Sequence, residues 1–310
     1  MKVSLISTVF NEESSIKDFL DALLGQSLKP DEIIIVDGGS IDGTVELIEN
    51  YIKKNEPIKL IIEKGANISR GRNIAINHAR NEIIASTDAG CKLDRDWLKN
   101  LVDKFDEDTD VVGGMTVPES KTEFERCAAE ITATKIKDID EHTYLPSSRS
   151  IAFRKTAWER AGKYPEWLYT AEDTVFDLNL KKVGCRFRMA SDAIVYWKMR
   201  TTWSFLFKQY YLYGKGAKEA GLVSIKNILN NISDILSPLF LIIMLPYLPP
   251  YYFIFWIIVF YHVIRPYLIK GKKCYRLNNS FKYFIYGVVI SIIEKIAWTI
   301  GHIAGKEKRQ

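Results

Sequence analysis

Ile33-Ile34-Ile35-Val36 runs without a polar break into Asp37-Gly38-Gly39-Ser40, and Ile83-Ile84-Ala85 leads through Ser86-Thr87 into Asp88-Ala89-Gly90. A run of apolar residues that does not alternate predicts a strand covered on both faces, the habit of parallel sheets. Residues 2–9 read as another such strand, ended by Phe10-Asn11-Glu12-Glu13. Ile16, Phe19, Leu20, Leu23 and Leu24 then share one helical face, with Gly25 beyond the last turn. Helices over 44–54 and 70–80 and a strand over 59–63 complete a β-α-β-α-β-α-β alternation. That order predicts an α/β fold with a mostly parallel, Rossmann-like sheet and helices on both faces.

A carboxylate at the carboxyl end of a parallel strand faces the crevice where open α/β sheets bind ligands. Asp37 and Asp88 therefore mark a candidate site. The competing role for a strand-end acid is to cap the turn that follows it. The glycine-rich turn at 38–43 does not match the G-x-G-x-x-G order of dinucleotide sites, and the acid expected about 20 residues later is missing, so NAD is disfavoured.

Thr8-Val9-Phe10-Asn11-Glu12, Val36-Asp37-Gly38-Gly39-Ser40, Arg72-Asn73, Thr87-Asp88-Ala89-Gly90-Cys91 and Ala171-Glu172-Asp173, followed by Leu180 and Gly184, occur in this order at ordinary separations. Together they resemble the motifs of family 2 glycosyltransferases over roughly residues 1–200. The resemblance implies a GT-A fold, a nucleotide-sugar donor carrying UDP or GDP, inversion at the anomeric carbon, and usually Mn²⁺ or Mg²⁺. Carried over residue by residue, it assigns Thr8, Asn11, Glu12, Asp37, Arg72, Asp88 and Ala89 to the nucleotide. Asp37 would accept from the base, and Asp88 would touch the ribose or a water on the metal. The third position of the D-x-D-like motif is Gly90 here, so one direct metal ligand is missing. Hard divalent cations keep several waters and can be held by one carboxylate plus a diphosphate. More of the diphosphate charge would then fall to Arg70, Arg72 and Lys215.

Ser147-Ser148-Arg149-Ser150-Ile151-Ala152-Phe153-Arg154, with Trp158 and Gly162 after it, resembles the strand and turn leading to the family's acceptor side. By the same resemblance Asp173 is the catalytic base that takes the acceptor's proton, and Glu172 orients it. Two acids at a helix start also favour the helix dipole, which is the simpler reading of the pair. A lipid phosphate is already anionic near neutral pH, whereas a sugar hydroxyl needs a base. The Glu-Asp pair thus favours transfer to a hydroxyl of a lipid-linked glycan over synthesis of a polyprenyl- or dolichyl-phosphate sugar. Gln209-Tyr210-Tyr211-Leu212-Tyr213 lacks the Arg-Trp pair of the processive members, which points to addition of one sugar. A non-catalytic membrane scaffold with a decayed site is the alternative from another class.

Charge divides the chain of 310 residues. Residues 201–310 hold 14 Lys and Arg against 4 Asp and Glu, while residues 1–200 hold 29 against 34. A segment both basic and apolar suits anionic lipid better than nucleic acid. The expected organisation is a nucleotide-sugar half at 1–105, an acceptor half at 106–200 and a membrane-associated helical region at 201–310. Within the last, runs at 232–248 and 251–269, separated by Pro249 and Pro250, predict a membrane hairpin over 232–269, with a re-entrant or interfacial helix pair that never crosses as the rival. Residues 281–303 carry Glu294, Lys295 and His302 and predict a helix lying along the surface. The basic cluster after the hairpin predicts a multi-pass protein of the cell membrane with its catalytic domain in the cytoplasm. Cys91, Cys127, Cys185 and Cys274 have no C-x-x-C spacing, and the amino terminus has no leader pattern, both in keeping with a reducing compartment.

Overall fold

The computed structural model describes residues 1–54, 56–136, 139–140, 143–244 and 253–308. The chain forms two compact units, Met1–Glu119 with Thr134–Lys198, and Ser120–Ala133 with Met199–Gln310.

The first unit is built on one sheet. Its strands are β1 (Val3–Val9), β2 (Glu32–Asp37), β3 (Ile58–Ile62), β4 (Ile83–Ser86), β5 (Lys92–Leu93), β6 (Val111–Glu119), β7 (Ile151–Arg154) and β8 (Phe187–Lys198), in the order β3-β2-β1-β4-β7-β6-β8-β5. β3, β2, β1 and β4 are all parallel, as the alternation requires. The other half is mixed: β7 runs antiparallel to β4 and β6, β5 antiparallel to β8, and β6 parallel to β8. The sheet is therefore parallel where the sequence alternates and mixed beyond residue 86.

β2 is buried along its whole length, and its side chains divide between two cores. Ile33 and Ile35 join one core with Phe19, Leu20, Ile48 and Trp97. Ile34 and Val36 join the other with Ile76, Trp158, Phe176 and Leu180. Helices α1 (Ile16–Leu24), α2 (Thr44–Ile52) and α4 (Trp97–Val102) thus cover one face. Helices α3 (Ile68–His78), α6 (Lys155–Arg160) and α7 (Glu172–Lys182) cover the opposite one. Burying both faces is why the strands read as continuous apolar runs. α3 begins two residues before the sequence expectation, because the Asn67 side chain accepts from the Arg70 amide at 2.9 Å and caps it.

The second unit is helical, comprising α5 (Glu123–Thr132), α8 (Trp203–Glu219), α9 (Ile225–Met244), α10 (Phe253–Asn278) and α11 (Phe281–Ala304). α5 falls in sequence inside the expected acceptor half, yet it clusters with the carboxyl-terminal helices. Phe124 stacks edge-on against Trp203 with ring centroids 4.5 Å apart, and Trp203 in turn lies 5.7 Å from Tyr286. α8 and α11 meet through glycines: a Cβ at Gly214 would lie 1.9 Å from the Trp298 carbonyl oxygen, and one at Gly301 1.9 Å from that of Tyr211. Any side chain there would force the two backbones apart.

Among the described residues one helix is long and apolar enough to cross a membrane, and it is α11. This differs from the sequence expectation, which gave the spans to the 232–269 hairpin and laid 281–303 on the surface. Positions 245–252 of that hairpin lie outside the described residues. The charges inside α11 are accommodated by partners, since Glu294 bonds Lys270 at 2.7 Å and Lys295 pairs with Asp234.

Candidate active site

The carboxyl ends of β1, β2 and β4 open onto a cleft of about 650 Å³ in the first unit. Thr8, Glu12, Gly38, Asp88, Ala89 and Arg149 line it, with Asn67 and Tyr169 at α3 and beside α7. Four of the nine residues assigned from sequence are thus on its wall: Thr8, Glu12, Asp88 and Ala89.

Asp37 and Asn11 shape the wall instead. Asp37 is fully buried, and its Oδ1 accepts from the amides of Gly39 and Ser40, both at 2.8 Å, while the Ser40 hydroxyl donates to Oδ2. Asn11, with φ of 53°, accepts from the Ile41 amide at 3.0 Å, and its own amide donates to Ser40 Oγ at 2.8 Å. The capping role set against the ligand role is therefore present at Asp37. Each carboxylate oxygen has two lone pairs, so this does not exhaust its capacity to accept.

Arg72 connects the donor cleft to the acid pair. Its side chain is 2% exposed, with Nη2 2.6 Å from Asp88 Oδ1 and Nη1 3.0 Å from Glu172 Oε1. The guanidinium also lies 5.3 Å over the Tyr164 ring. Burial works against its charge, but Asp88 and Glu172 outweigh that and raise its pKa. Burial likewise pushes Asp88 up, yet Arg72 and Arg149 hold its carboxyl below the usual range. Glu172 shifts the other way: burial and the neighbouring Asp173 charge raise it beyond what Arg72 offsets.

Asp173 is half-buried at the first turn of α7, where its Oδ1 accepts from the Thr174 amide at 2.8 Å. Ala171, at the N-cap, has φ of 66°, a left-handed conformation costly for a residue with a Cβ. Backbone strain of this kind is characteristic of sites whose surroundings fix it. One turn further on, Asp177 is fully buried with neither carboxylate oxygen hydrogen-bonded among the described residues, and burial, then Asp173, push it well above the usual carboxylate range.

Of the cations suggested for the diphosphate, Arg72 is enclosed between its two acids, and Arg70 is half-exposed and paired with Glu63. Lys215 belongs to the second unit, 3.9 Å from Glu219. Sequence reasoning assigned no role to Arg149, which lines the cleft 3.7 Å from Asp88. The one available signal was its place in the Ser147–Arg154 stretch. Phe10, Asn67 and Tyr169 were also passed over.

No group of three or more His, Cys, Asp or Glu among the described residues is arranged to hold a metal ion. Asp88 and Glu12 are the two carboxylates on the cleft among the described residues, and an ideal Cβ at Gly90 would lie 3.5 Å from Glu12 Oε2. Glu12 therefore borders the space in which the missing third-position side chain would begin. Two carboxylates with diphosphate oxygens and water form an acceptable set for a hard divalent cation.

Comparison with known proteins agrees with this geometry. Glycosyltransferase AglE of Haloferax volcanii is 27% identical over 221 residues, which are 69% of this chain and 72% of that protein. The fold matches that of mannosyltransferase PcManGT from Pyrobaculum calidifontis, solved with GDP-Man and Mn²⁺, at a TM-score of 0.61 and 17% identity over 97% of this chain and 87% of that one. It also matches an S. aureus TarS fragment solved with UDP-GlcNAc, at a TM-score of 0.52 and 16% identity over 98% and 91%. Residues 4–160 match the model of glycosyl transferase family 2, half of the chain, which covers β1 to α6 and so includes the whole wall of the cleft except Tyr169. With half of its length matched by that model, this chain belongs to glycosyl transferase family 2 and is a glycosyltransferase.

Proposed function

We propose that the enzyme moves one sugar from a UDP- or GDP-sugar to a hydroxyl of a lipid-linked glycan, with inversion, at a membrane surface. The observation that carries this reading is the Asp88–Arg72–Glu172 bridge, which ties a donor-cleft acid to the pair containing Asp173. Through it the groups that hold the donor and the group that activates the acceptor share one buried framework.

Thr8, Glu12 and Ala89 contact the nucleotide, and Asn11 and Asp37 frame it, Asp37 by closing the turn at 38–40 that borders the base. Asp173 takes the proton of the acceptor hydroxyl as its oxygen attacks the anomeric carbon on the face opposite the leaving diphosphate, and this inverts the centre. Glu172 orients Asp173. A divalent cation, Mn²⁺ or Mg²⁺, held by Asp88 and Glu12, would neutralise charge on the diphosphate. Support for a UDP- or GDP-sugar comes from the two solved relatives in fold, one with GDP-Man and one with UDP-GlcNAc. An anionic phosphate acceptor would leave Asp173 without a proton to remove, so the hydroxyl acceptor is preferred to a polyprenyl phosphate. Calorimetry with UDP- and GDP-sugars tests the donor. One of the two nucleotides should bind, and Asp88→Asn, which keeps an oxygen for Arg72, should weaken it by roughly tenfold, the weight of a charged hydrogen bond. Binding of neither nucleotide by folded wild-type protein would remove the donor assignment.

The membrane placement draws on α9. Leu229, Leu236, Phe240 and Ile243 fall on one helical face and are 54–64% exposed. Asp234, itself half-exposed, lies off that stripe and pairs with Lys295 of α11, and its carbonyl accepts from the Tyr267 hydroxyl of α10 at 3.0 Å. Large apolar side chains left uncovered along one stripe of a helix suit an interfacial position, where that stripe meets lipid. The basic excess of residues 201–310 complements the anionic cytoplasmic leaflet. The full chain should float with phosphatidylglycerol-containing vesicles, and Leu229→Ser with Phe240→Ser should reduce the floated fraction several-fold. Equal flotation of the double variant would detach α9 from the membrane.

A further inference from the structure

The donor cleft has one cationic side chain among the described residues that line it, and it is Arg149. Its neighbours hold it in place from both sides. Ser148 is buried, with its hydroxyl 2.9 Å from the Tyr164 hydroxyl. Ser150 is fully buried, accepting from Trp97 Nε1 at 2.8 Å and donating to the Ala193 carbonyl at 3.1 Å. The Ser150 carbonyl also accepts from the Gly114 amide at 2.8 Å. Two anchored serines leave the residue between them little backbone freedom. The Arg149 guanidinium lies 5.5 Å over the Trp197 ring and 3.7 Å from Asp88 Oδ2, with 31% of the side chain exposed. A planar fork fixed at its base and laid over an indole is pre-organised to meet paired phosphate oxygens.

The need for such a group arises at Gly90. Its φ of 79° is left-handed, and it supplies no acid on the flank of Asp88 where the family motif has one. Cation binding there relies on fewer protein ligands, while the charge developing on the leaving diphosphate is unchanged. We propose that Arg149 is a catalytic residue that grips the donor diphosphate beside Asp88 and stabilises the departing nucleoside diphosphate. In this step the bond between the anomeric carbon and the β-phosphate oxygen breaks, with its electron pair going to that oxygen. The acceptor oxygen bonds the anomeric carbon, and its proton passes to Asp173. The inference rests on the donor being a nucleotide sugar, and it goes beyond that reading in naming the residue that meets the phosphates.

Calorimetry on the full chain in EDTA separates the two. Uridine, guanosine, UDP and GDP are titrated into wild type, Arg149→Gln and Arg149→Lys, with thermal melts to confirm folding. For whichever nucleotide wild type binds, Arg149→Gln should lose roughly 10–100-fold in diphosphate affinity and less than about threefold in nucleoside affinity. Arg149→Lys, keeping the charge without the fork, should fall between them, and it carries the test if Arg149→Gln does not fold. Diphosphate affinity within about threefold of wild type in the folded variant, or equal losses for nucleoside and diphosphate, would overturn the assignment to Arg149. If wild type binds neither diphosphate in EDTA nor with Mn²⁺ or Mg²⁺ restored, the nucleotide-sugar reading itself fails, and the inference with it; binding that needs the cation moves the same comparison of variants to the cation-containing buffer, with the same outcomes.

Discussion

Asp173→Asn should lower turnover by roughly 10²–10⁴ while leaving nucleotide-sugar affinity within a few-fold of wild type, the signature of a lost general base. The amide is isosteric and can still accept from the Thr174 amide through its oxygen, as Asp173 does at 2.8 Å, so the first turn of α7 keeps its local bond. Asp173 does not line the donor cleft, which is why donor affinity should survive. Glu172 cannot replace it as base, because its carboxyl is committed to Arg72 at 3.0 Å. Single-turnover rates with saturating donor would check the result, and transfer at a near-normal rate would take Asp173 out of the mechanism.

Arg72→Met should destabilise the first unit by about 3–5 kcal/mol, the range for removing one member of a buried ionic group. The cost comes from what is left behind. Asp88 and Glu172 would be two carboxylates in a poorly hydrated pocket with their common partner gone. The pH dependence follows from the directions of their shifts. Asp88 is held below its unfolded value of 3.8, so its contribution is present above that value and is lost as pH falls through the folded pKa. Glu172 is raised above 4.5, so its contribution is full below that value and is lost as pH rises through the folded pKa. Without Arg72 both carboxyls move upward, and each can be relieved by a proton. The gap between variant and wild type should therefore be widest at neutral pH and narrow toward pH of about 4.5. Thermal melts at the two pH values would show it. A constant gap would mean that the loss is one of packing against Tyr164 rather than of charge.

The parallel half of the sheet, its two-sided helical cover and the places of Asp37 and Asp88 were legible in sequence, because they depend on periodicity within short windows. Apolar runs report burial on both faces, and an acid directly after such a run has little choice of location. The antiparallel entry of β7 was not legible, since Ile151-Ala152-Phe153 pairs equally well in either direction and the long path from β4 decides which. The same limit hid the role of Asp37: Asp-Gly-Gly-Ser announces a turn, but only the folded chain decides whether the carboxylate closes that turn or leaves it open.

By itself, then, the sequence determined the alternating strands and helices of the first ninety residues, which acids stand at the ends of those strands, and which family's motifs they compose. The tertiary structure alone decided that Arg72 meets Glu172 a hundred residues away, that Arg149 reaches the donor cleft, that α5 joins the carboxyl-terminal helices, and that Leu229, Leu236, Phe240 and Ile243 of α9 stay uncovered. Local propensity and periodicity act over a few turns of chain. An ion pair across a sheet, or the face a helix leaves uncovered, is set by how distant segments close upon one another, and no window of sequence contains both partners.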